Sequence, residues 1–357
     1  MAQRKTLQRR KTRIIYVGNM PVGGKNPITV QSMTKTDTRD VRATVRQIRN
    51  LEKAGCEIIR LAVPEMDAAK ALGKIKKSVS IPMIADIHFD WRLALEAIKQ
   101  GVDGLRINPG NIGAKWKVKQ VVSAAKGKGL PIRIGVNAGS LEKELLRKYG
   151  HPTPDALVES AEKHIEILED MDFYNIKISL KASNVLTTIE AYRLFSRKYN
   201  YPLHVGISEA GPPSAGIIKS AVGIGILLSE GIGDTIRVSL TAEPEEEVRV
   251  AYGILSALRI RERGANIISC PTCGRCNINL QGLARKVESR LRQVVDPITV
   301  AVMGCVVNGP GEAREADFGI AGGRGRGIVF RNGRIIRRVE EKKLLDALME
   351  EIGFKRT

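Results

Sequence analysis

Between residue 28 and about residue 265, short β-branched runs alternate eight times with amphipathic helical patterns. Eight such units in succession are typical of the (β/α)8, or TIM, barrel. An open doubly wound sheet is the alternative, but no G-x-G-x-x-G motif follows the first strand, which weakens a dinucleotide-binding fold. The predicted strands cover residues 28–33, 57–64, 82–89, 104–111, 131–139, 175–183, 202–211 and 234–241.

The remainder of the chain predicts a smaller second domain. We expect residues 1–264 to form the barrel and residues 265–357 to form an α+β unit, which is too short for another barrel. Glycines and two arginines at 321–327 could form an anion nest, but a hairpin turn between strands is the simpler interpretation. Helices are predicted at 41–54, 91–99, 153–169, 185–198, 245–263, 280–294 and 341–352, and further strands at 298–303, 318–321, 327–330 and 334–339.

The composition limits the classes of function. The chain has 357 residues, of which 43% are hydrophobic, and a formal net charge of +20. A solvated, thermostable surface, nucleic-acid binding and a polyanionic small substrate would each account for this charge. Only 4% of residues are aromatic, and no basic run interleaves with aromatics, so a base-stacking surface is poorly supported.

The location of the protein is predicted from what its sequence lacks. No run of about 18 apolar residues occurs, so no transmembrane helix is expected. The basic stretch at residues 1–13 lacks the apolar segment of a signal peptide, so it does not predict a secretory signal. Cysteines at C-x-x-C spacing in such a chain favour a reducing cytoplasm and metal binding over disulfides.

Polar residues recur at alternate positions towards the carboxyl ends of the predicted strands, where barrel enzymes carry their catalytic groups. Six of them are basic, and pointing outwards would bury their charge against the helices at a cost of several kcal/mol each. We therefore expect them in the barrel mouth. The guanidinium group of Arg can donate two parallel hydrogen bonds to phosphate oxygens. The predicted ligand is therefore a small molecule with more than one phosphate. The polar positions are Arg60, Asp86, His88, Arg106, Asn108, Arg133, Asn137, Lys177, Ser179, Lys181, His204, Glu209, Arg237 and Ser239.

The acidic residues of the mouth have two interpretations. Glu209, in G-I-S-E-A-G, is either a general acid or base near the reacting carbon or a partner that balances a neighbouring cation, and the sequence weights these equally. Asp86 and His88 could bind a metal, but two side chains do not make a site. We expect them to position the substrate or neighbouring side chains.

Four of the five cysteines lie between residues 270 and 305, and the fifth, Cys56, stands alone. C-P-T-C-G-R-C, at residues 270–276, resembles the opening of a ferredoxin motif, with Cys305 as a distant fourth thiolate. A four-cysteine zinc site is the alternative. Glycines and Pro310 around Cys305 would let the backbone approach a bulky cluster, and Glu312 could be a weak, replaceable iron ligand. These features favour iron and sulfur.

Seven motifs carry a resemblance to a known family over nearly the whole chain. Together they closely resemble the bacterial 4-hydroxy-3-methylbut-2-en-1-yl diphosphate synthases of the non-mevalonate isoprenoid pathway, in their compact form. The motifs are Q-S-M-T (31–34), A-D-I-H-F-D (85–90), L-R-I-N-P-G-N-I-G (105–113), I-R-I-G-V-N-A-G-S-L (132–141), S-E-G-I-G-D-T-I-R-V-S-L (229–240), C-P-T-C-G-R (270–275) and G-C-V-V-N-G-P-G-E (304–312).

The resemblance implies an iron–sulfur oxidoreductase. It would open the ring of 2-C-methyl-D-erythritol 2,4-cyclodiphosphate reductively, with loss of water, using two electrons passed singly through a [4Fe-4S] cluster. The family's cluster ligands fall on Cys270, Cys273, Cys305 and Glu312, of which the glutamate exchanges for a substrate oxygen. Cys276 is not a family ligand and is expected to be a spare thiol. The resemblance also implies a ferredoxin or flavodoxin as electron donor.

The resemblance also implies the residues that handle the substrate. Glu209 falls on the family's acid/base glutamate, and with Glu312 it completes the expected catalytic residues. We further expect a head-to-tail homodimer, in which the cluster domain of one subunit covers the barrel of the other, and neither nucleic-acid nor membrane partners. Substrate contacts are expected at Arg60, Arg106, Arg133, Asn137, Lys181, His204, Arg237 and Ser239.

Two rival functions fit parts of the sequence. The charge and the cysteines would also suit a zinc-stabilised nucleic-acid-binding protein, which would be colourless after anaerobic purification. The barrel mouth would also suit a phosphate-binding enzyme of aldolase or pterin-synthase type, in which the cysteines are structural.

Overall fold

The computed structural model describes residues 8–305 and 313–353. The chain divides into two compact units, the first ending at Arg261 and the second beginning at Glu262. This division lies three residues before the expected one, so it falls within the same connecting segment.

The first unit begins with a small hairpin and continues as a barrel of eight parallel strands. The hairpin strands are β1 (Ile15–Val17) and β2 (Met20–Val22). The barrel strands are β3 (Thr29–Met33), β4 (Ile58–Ala62), β5 (Met83–Ile87), β6 (Gly104–Ile107), β7 (Ile132–Asn137), β8 (Ile176–Lys181), β9 (His204–Val205) and β10 (Thr235–Ile236).

The barrel strands pair in the order β8-β7-β6-β5-β4-β3-β10-β9, and a parallel bridge between Ile178 and Leu203 joins the two ends of this order. The ring confirms the (β/α)8 prediction and excludes the open doubly wound sheet. The last two strands are much shorter than predicted. Pairing nevertheless continues past β10, because Arg237 donates its backbone N–H to the Val205 carbonyl at 3.0 Å.

Helices connect the barrel strands, and their ends follow local sequence signals. Asp40 caps the first helix by accepting from the Ala43 N–H, and Gly55, at φ 105°, ends it. Thr153 and Asn184 cap two later helices in the same way. The helices are α1 (Val41–Ala54), α2 (Met66–Lys76), α3 (Trp91–Lys99), α4 (Pro109–Ile112), α5 (Lys115–Gly127), α6 (Lys143–Tyr149), α7 (Pro154–Glu169), α8 (Val185–Lys198), α9 (Pro213–Ser229) and α10 (Pro244–Ala257).

Alternate residues of the barrel strands belong to two different environments. Outward-facing residues such as Ile132, Ile134 and Val136 join the large core between strands and helices. At the amino end of the strands, Ile58 and Ile84 instead pack with the hairpin residues Ile15, Val17 and Val22, a set that we call the barrel floor. The hairpin was not predicted from the sequence, and it closes the amino end of the barrel with apolar side chains.

The second unit is a five-stranded sheet with helices. Its strand order is β11-β12-β13-β14-β15, of which the first three strands are parallel and the last two antiparallel to their neighbours. The tight connection between β13 and β14 confirms the predicted hairpin turn, whereas β11 was not predicted. The elements are β11 (Ala265–Ser269), α11 (Leu280–Leu291), β12 (Ile298–Met303), β13 (Phe318–Gly322), β14 (Arg326–Arg331), β15 (Arg334–Glu340) and α12 (Leu344–Ile352).

Within the described part of the chain, none of these helices combines the length and apolarity that a membrane span requires.

Candidate active site

One tier of the barrel interior carries charged residues on four adjacent strands. Strand register pairs Asp86 with Arg106, Arg106 with Arg133, and Arg133 with Lys177. All four side chains are buried. Three neighbouring cations and a single carboxylate therefore line this wall of the barrel, in place of the aliphatic layer that is usual in such barrels.

Asp86 binds the cations on either side of it. Its Oδ1 lies 3.0 Å from Arg106 Nη1, and its Oδ2 lies 3.3 Å from Arg60 Nε and 3.4 Å from His88 Nε2. Burial alone would raise the pKa of Asp86, but the charges of Arg60 and Arg106 outweigh it and hold that pKa well below its usual range. The contacts agree with the expectation that Asp86 and His88 position neighbouring side chains.

Glycines make room for the cations in this tier. A Cβ at Gly135 would lie 2.4 Å from Arg106 Nε, and a Cβ at Gly206 would lie 2.3 Å from the backbone oxygen of Arg237 and 2.8 Å from Lys181 Nζ. Arg106 also donates from Nη2 to the Gly135 carbonyl at 3.0 Å. Both glycines were missed from the sequence, although glycine inside a strand is a known sign of close approach by another group.

Several of the cationic groups lack partners. Arg133 Nε and Nη1 and Lys177 Nζ have no hydrogen-bond partner among the described residues. Burial, followed by the charges of neighbouring arginines, lowers the pKa of Arg133 and Lys181 well below their usual ranges, and burial lowers that of Lys177 to about 7. Buried charge of one sign is costly unless it is compensated, so the barrel interior favours an anionic ligand.

The side chain of His204 also lies inside the barrel, and its imidazole is neutral. It is fully buried, and its Nδ1 lies 2.5 Å from Thr235 Oγ1. Burial and then the charge of Lys181 hold the pKa of His204 well below its usual range. His204 therefore adds polarity, but not positive charge, to the site.

A cavity of about 490 Å³ opens at the carboxyl end of the strands. Asn137, Lys181 and Glu209 line it together, as do His88 and Asn108. Glu209 is a non-glycine residue with φ of 51°, in the left-handed region that most side chains avoid. Such backbone strain often accompanies a functional position, and here it directs attention to an exposed carboxylate at the edge of a cationic cavity.

Arg237 and Ser239 follow the last barrel strand. Arg237 is largely buried, and its Nη2 lies 3.6 Å from Oε2 of Glu247 on α10. Glu247 was not predicted as a site residue. It is the third of three consecutive glutamates in the first turn of α10, a pattern that also describes ordinary helix starts. Its spacing from the buried Ala251 and Ile254, four and seven residues later, is a local sign that it faces inwards.

The predicted cluster ligands lie in the second unit. Cys270 Sγ accepts a hydrogen bond from the backbone N–H of Gly304 at 3.3 Å, so the C-P-T-C segment reaches the residue that precedes Cys305. The exposed Cys273 thiol has its pKa lowered by hydrogen bonds from the backbone and side chain of Arg275, which favours the thiolate that metals require. Glu312 lies outside the described residues.

The other two cysteines have different surroundings. Cys276 Sγ donates to the Ile278 carbonyl at 3.3 Å, as a protonated thiol does. Burial raises the pKa of Cys56 to about 12, so this thiol is inert. Within residues 8–305 and 313–353, no three His, Cys, Asp or Glu side chains form a group that could hold one metal ion. Ligands of a multi-iron cluster bind different irons and lie farther apart, so the cysteines of the two segments still fit such a group.

Fold and site together define a class of protein: a (β/α)8 barrel whose mouth is built for an anion, joined to a separate α+β unit that carries cysteines. Comparison with known proteins agrees. Residues 12–252 match the family described as the GcpE TIM-barrel domain, and residues 266–353 match the GcpE protein C-terminal domain.

Individual relatives match over almost their whole length. A protein of Thermodesulfovibrio yellowstonii is 65% identical over 346 residues, which cover 97% of this chain and 99% of the relative. One of Geobacter sulfurreducens is 63% identical over 342 residues, covering 96% and 97%. Both are named 4-hydroxy-3-methylbut-2-en-1-yl diphosphate synthase (flavodoxin). The chain belongs to the GcpE family of 4-hydroxy-3-methylbut-2-en-1-yl diphosphate synthases, which confirms the resemblance seen in its motifs.

Among solved structures, dihydropteroate synthase of Yersinia pestis is similar to the barrel. The TM-score is 0.50 at 13% identity, and the match covers 69% of this chain and 98% of that protein. At this identity the similarity shows the fold alone. It therefore supports the barrel and says nothing for the pterin-synthase alternative.

Proposed function

We propose that this enzyme converts 2-C-methyl-D-erythritol 2,4-cyclodiphosphate into 4-hydroxy-3-methylbut-2-en-1-yl diphosphate. A ring C–O bond breaks, one oxygen atom leaves as water, and two electrons and two protons balance that loss. The single observation that carries the proposal is the tier of buried cations formed by Arg106, Arg133 and Lys177, in which the register of the described strands places one carboxylate, Asp86. A doubly phosphorylated substrate supplies the missing negative charge.

Substrate binding is assigned to the walls of the barrel. Arg60 and Arg106, both held by Asp86, present their guanidinium groups in fixed directions, which suits phosphate oxygens. Unpaired nitrogens of Arg133 remain available to the ligand. Further contacts are proposed for Asn137, Lys181, His204, Arg237 and Ser239.

Proton transfer is assigned to Glu209. Its carboxylate borders the same cavity as Lys181 and Asn137, so it is within the space that the substrate would occupy. The strained backbone at Glu209 supports a functional role for this position. The alternative, in which Glu209 only balances charge, predicts that its replacement by Gln would leave turnover intact.

A [4Fe-4S] cluster is assigned to Cys270, Cys273, Cys305 and Glu312. When bound, it would supply the electrons one at a time. Cys276 is left out because its thiol donates to a carbonyl, whereas Cys270 accepts from a backbone N–H, as a thiolate ligand does. The relatives' names carry the word flavodoxin, so we propose a flavodoxin as the electron donor instead of a ferredoxin.

A head-to-tail homodimer completes the proposal. The barrel mouth and the cysteines belong to different compact units of the chain. Exchange of the cluster unit between two subunits would bring both halves of the site together. Light scattering of the holoenzyme tests the subunit number, and mixing an Arg133→Met subunit with a Cys270→Ser subunit tests the exchange: activity returns only if the halves come from different chains.

The main test uses protein purified without oxygen. We expect a brown protein with broad absorption near 400 nm, and an electron paramagnetic resonance signal of the reduced protein that changes when the cyclic diphosphate is added. Replacement of Cys276 by Ser should leave the iron content intact, whereas replacement of Cys270 by Ser should reduce it. A colourless protein that contains zinc would contradict the proposal, as would unchanged turnover after Glu312→Ala.

A further inference from the structure

Glu247 is a buried carboxylate that joins three separate parts of the barrel mouth. It lies in the first turn of α10 and is 2% exposed. Its Oε1 accepts from the Leu240 N–H at 3.0 Å and lies 3.2 Å from Lys35 Nζ. Its Oε2 lies 3.6 Å from Arg237 Nη2 and has no hydrogen-bond partner among the described residues.

The two carboxylate oxygens of Glu247 make different contacts. Oε1 belongs to a closed set of contacts, because Lys35 Nζ also donates to the carbonyl oxygens of Leu240 and Ala242. The loop after β10 is therefore held to the segment after β3. Oε2 is directed at Arg237, whose backbone N–H is already fixed to the Val205 carbonyl. Only the side chain of Arg237 is left to be oriented, and Glu247 is the carboxylate beside it.

We propose that Glu247 is a positioning residue, which holds the Arg237 guanidinium in the direction of the substrate's phosphate groups. This inference rests on the proposed function, because it assumes that the mouth binds a cyclic diphosphate. Oε1 of Glu247 is occupied by Lys35 and the Leu240 N–H, which leaves Oε2 to face Arg237.

The competing role for Glu247 is simple charge balance, and the two roles predict opposite signs. If the carboxylate only neutralises Arg237, its removal makes the mouth more positive and strengthens binding of an anion. If it orients Arg237, its removal frees the guanidinium to rotate and weakens binding. The direction in which the dissociation constant moves therefore separates the two roles.

The decisive variant is Glu247→Gln, which keeps the size of the side chain and an oxygen for the Leu240 N–H. In the oxidised holoenzyme, which binds without turnover, we expect the dissociation constant of the cyclic diphosphate to rise about tenfold, or about 1.4 kcal/mol. In turnover, KM should rise similarly while kcat changes by less than about twofold, as expected for lost substrate binding. An unchanged or lower dissociation constant overturns the inference.

Glu57 provides a matched control at the other end of the barrel. It also accepts from a strand N–H, that of Val30 at 2.8 Å, and pairs with an arginine, Arg261, at 2.8 Å. Glu57→Gln should lower the midpoint of thermal unfolding without changing KM. If Glu57→Gln and Glu247→Gln change KM equally, the effect is one of general stability and the inference fails.

A double-mutant cycle tests the route through Arg237. Arg237→Gln should weaken binding more than Glu247→Gln does, and adding Glu247→Gln to it should have less than about a twofold further effect. Additive losses would show that Glu247 acts elsewhere. Failure of the proposed function looks different, because the wild-type holoenzyme would then neither bind nor convert the cyclic diphosphate.

Discussion

The two ends of one barrel follow the same strands but have opposite chemistry. Ile58 and Ile84 belong to the apolar barrel floor, and the residues two positions farther along the same strands are Arg60 and Asp86. At the floor, side chains pack against a hairpin and exclude water. At the mouth, Arg133 Nε and Nη1 and Lys177 Nζ are buried without a hydrogen-bond partner in the part of the chain that the structure describes. A displacement of two residues, about 7 Å along a strand, thus separates packing that stabilises the fold from charge that destabilises it.

This difference indicates that residues at the floor stabilise the fold, whereas residues at the mouth favour ligand binding. Unpaired buried cations lower stability in the absence of a ligand, and they are retained where binding requires them. The barrel floor consists of apolar side chains, whose burial stabilises the folded state by the usual transfer free energy of aliphatic groups. Variants at the two ends should therefore affect different measurements, and the following predictions test this separation.

The largest effect is expected from removing a buried cation of the mouth. Arg133→Met should lower kcat/KM by about 10³-fold, because truncating one partner of a buried charge pair costs about 2–5 kcal/mol. The same change should raise the midpoint of thermal unfolding, since Arg133 is buried with unpaired nitrogens. Steady-state kinetics and anaerobic thermal unfolding check the two parts. A variant that is both inactive and less stable would contradict the proposed division.

The next effect is the converse change at the floor. Ile84→Ala should destabilise the protein by about 3 kcal/mol, because it leaves a cavity against the hairpin. KM for the cyclic diphosphate should not change in the fraction that remains folded. Denaturant unfolding together with kinetics below the transition measures both quantities. A raised KM would mean that floor and mouth are coupled.

A smaller effect should follow from filling the space beside Arg106. In Gly135→Ala the new Cβ would lie 2.4 Å from Arg106 Nε, so the guanidinium must move. We expect KM to rise about tenfold with little change in kcat, equivalent to about 1.4 kcal/mol. Gly253→Ala is the control, because nothing lies within 4 Å of its Cβ position. Equal effects of the two changes would argue against a steric role for Gly135.

The smallest expected effect is a dependence on pH. Lys177 has a pKa lowered to about 7 in the folded protein, whereas the unfolded chain has the ordinary value of about 10.4. Between these values the unfolded state binds more protons, so stability should rise as pH increases from 7 to 8, by about 1 kcal/mol. Lys177→Met should flatten this rise. An equally steep rise in the variant would assign the effect to other groups.

The sequence alone determined the periodic features of the molecule. Strand and helix periods predicted the barrel, and alternation within strands placed Arg60, Arg106, Arg133 and Lys181 inside it. The predicted helices at 41–54, 91–99 and 185–198 agree with the structure residue for residue. These features depend on neighbours within a few residues, so they are written locally in the chain. The motifs added the family, which neither composition nor periodicity could supply.

Only the tertiary structure decided which groups meet across the barrel. Glu247 approaches Lys35 and Arg237 because the ring closes between the first and last strands. Gly135 is needed only because the Arg106 guanidinium comes to lie over it. Such contacts join residues that are distant in the chain, and no local period encodes them. The residues that hold the cations in place are therefore defined by side-chain contacts across the closed barrel, and not by the pattern of any one segment.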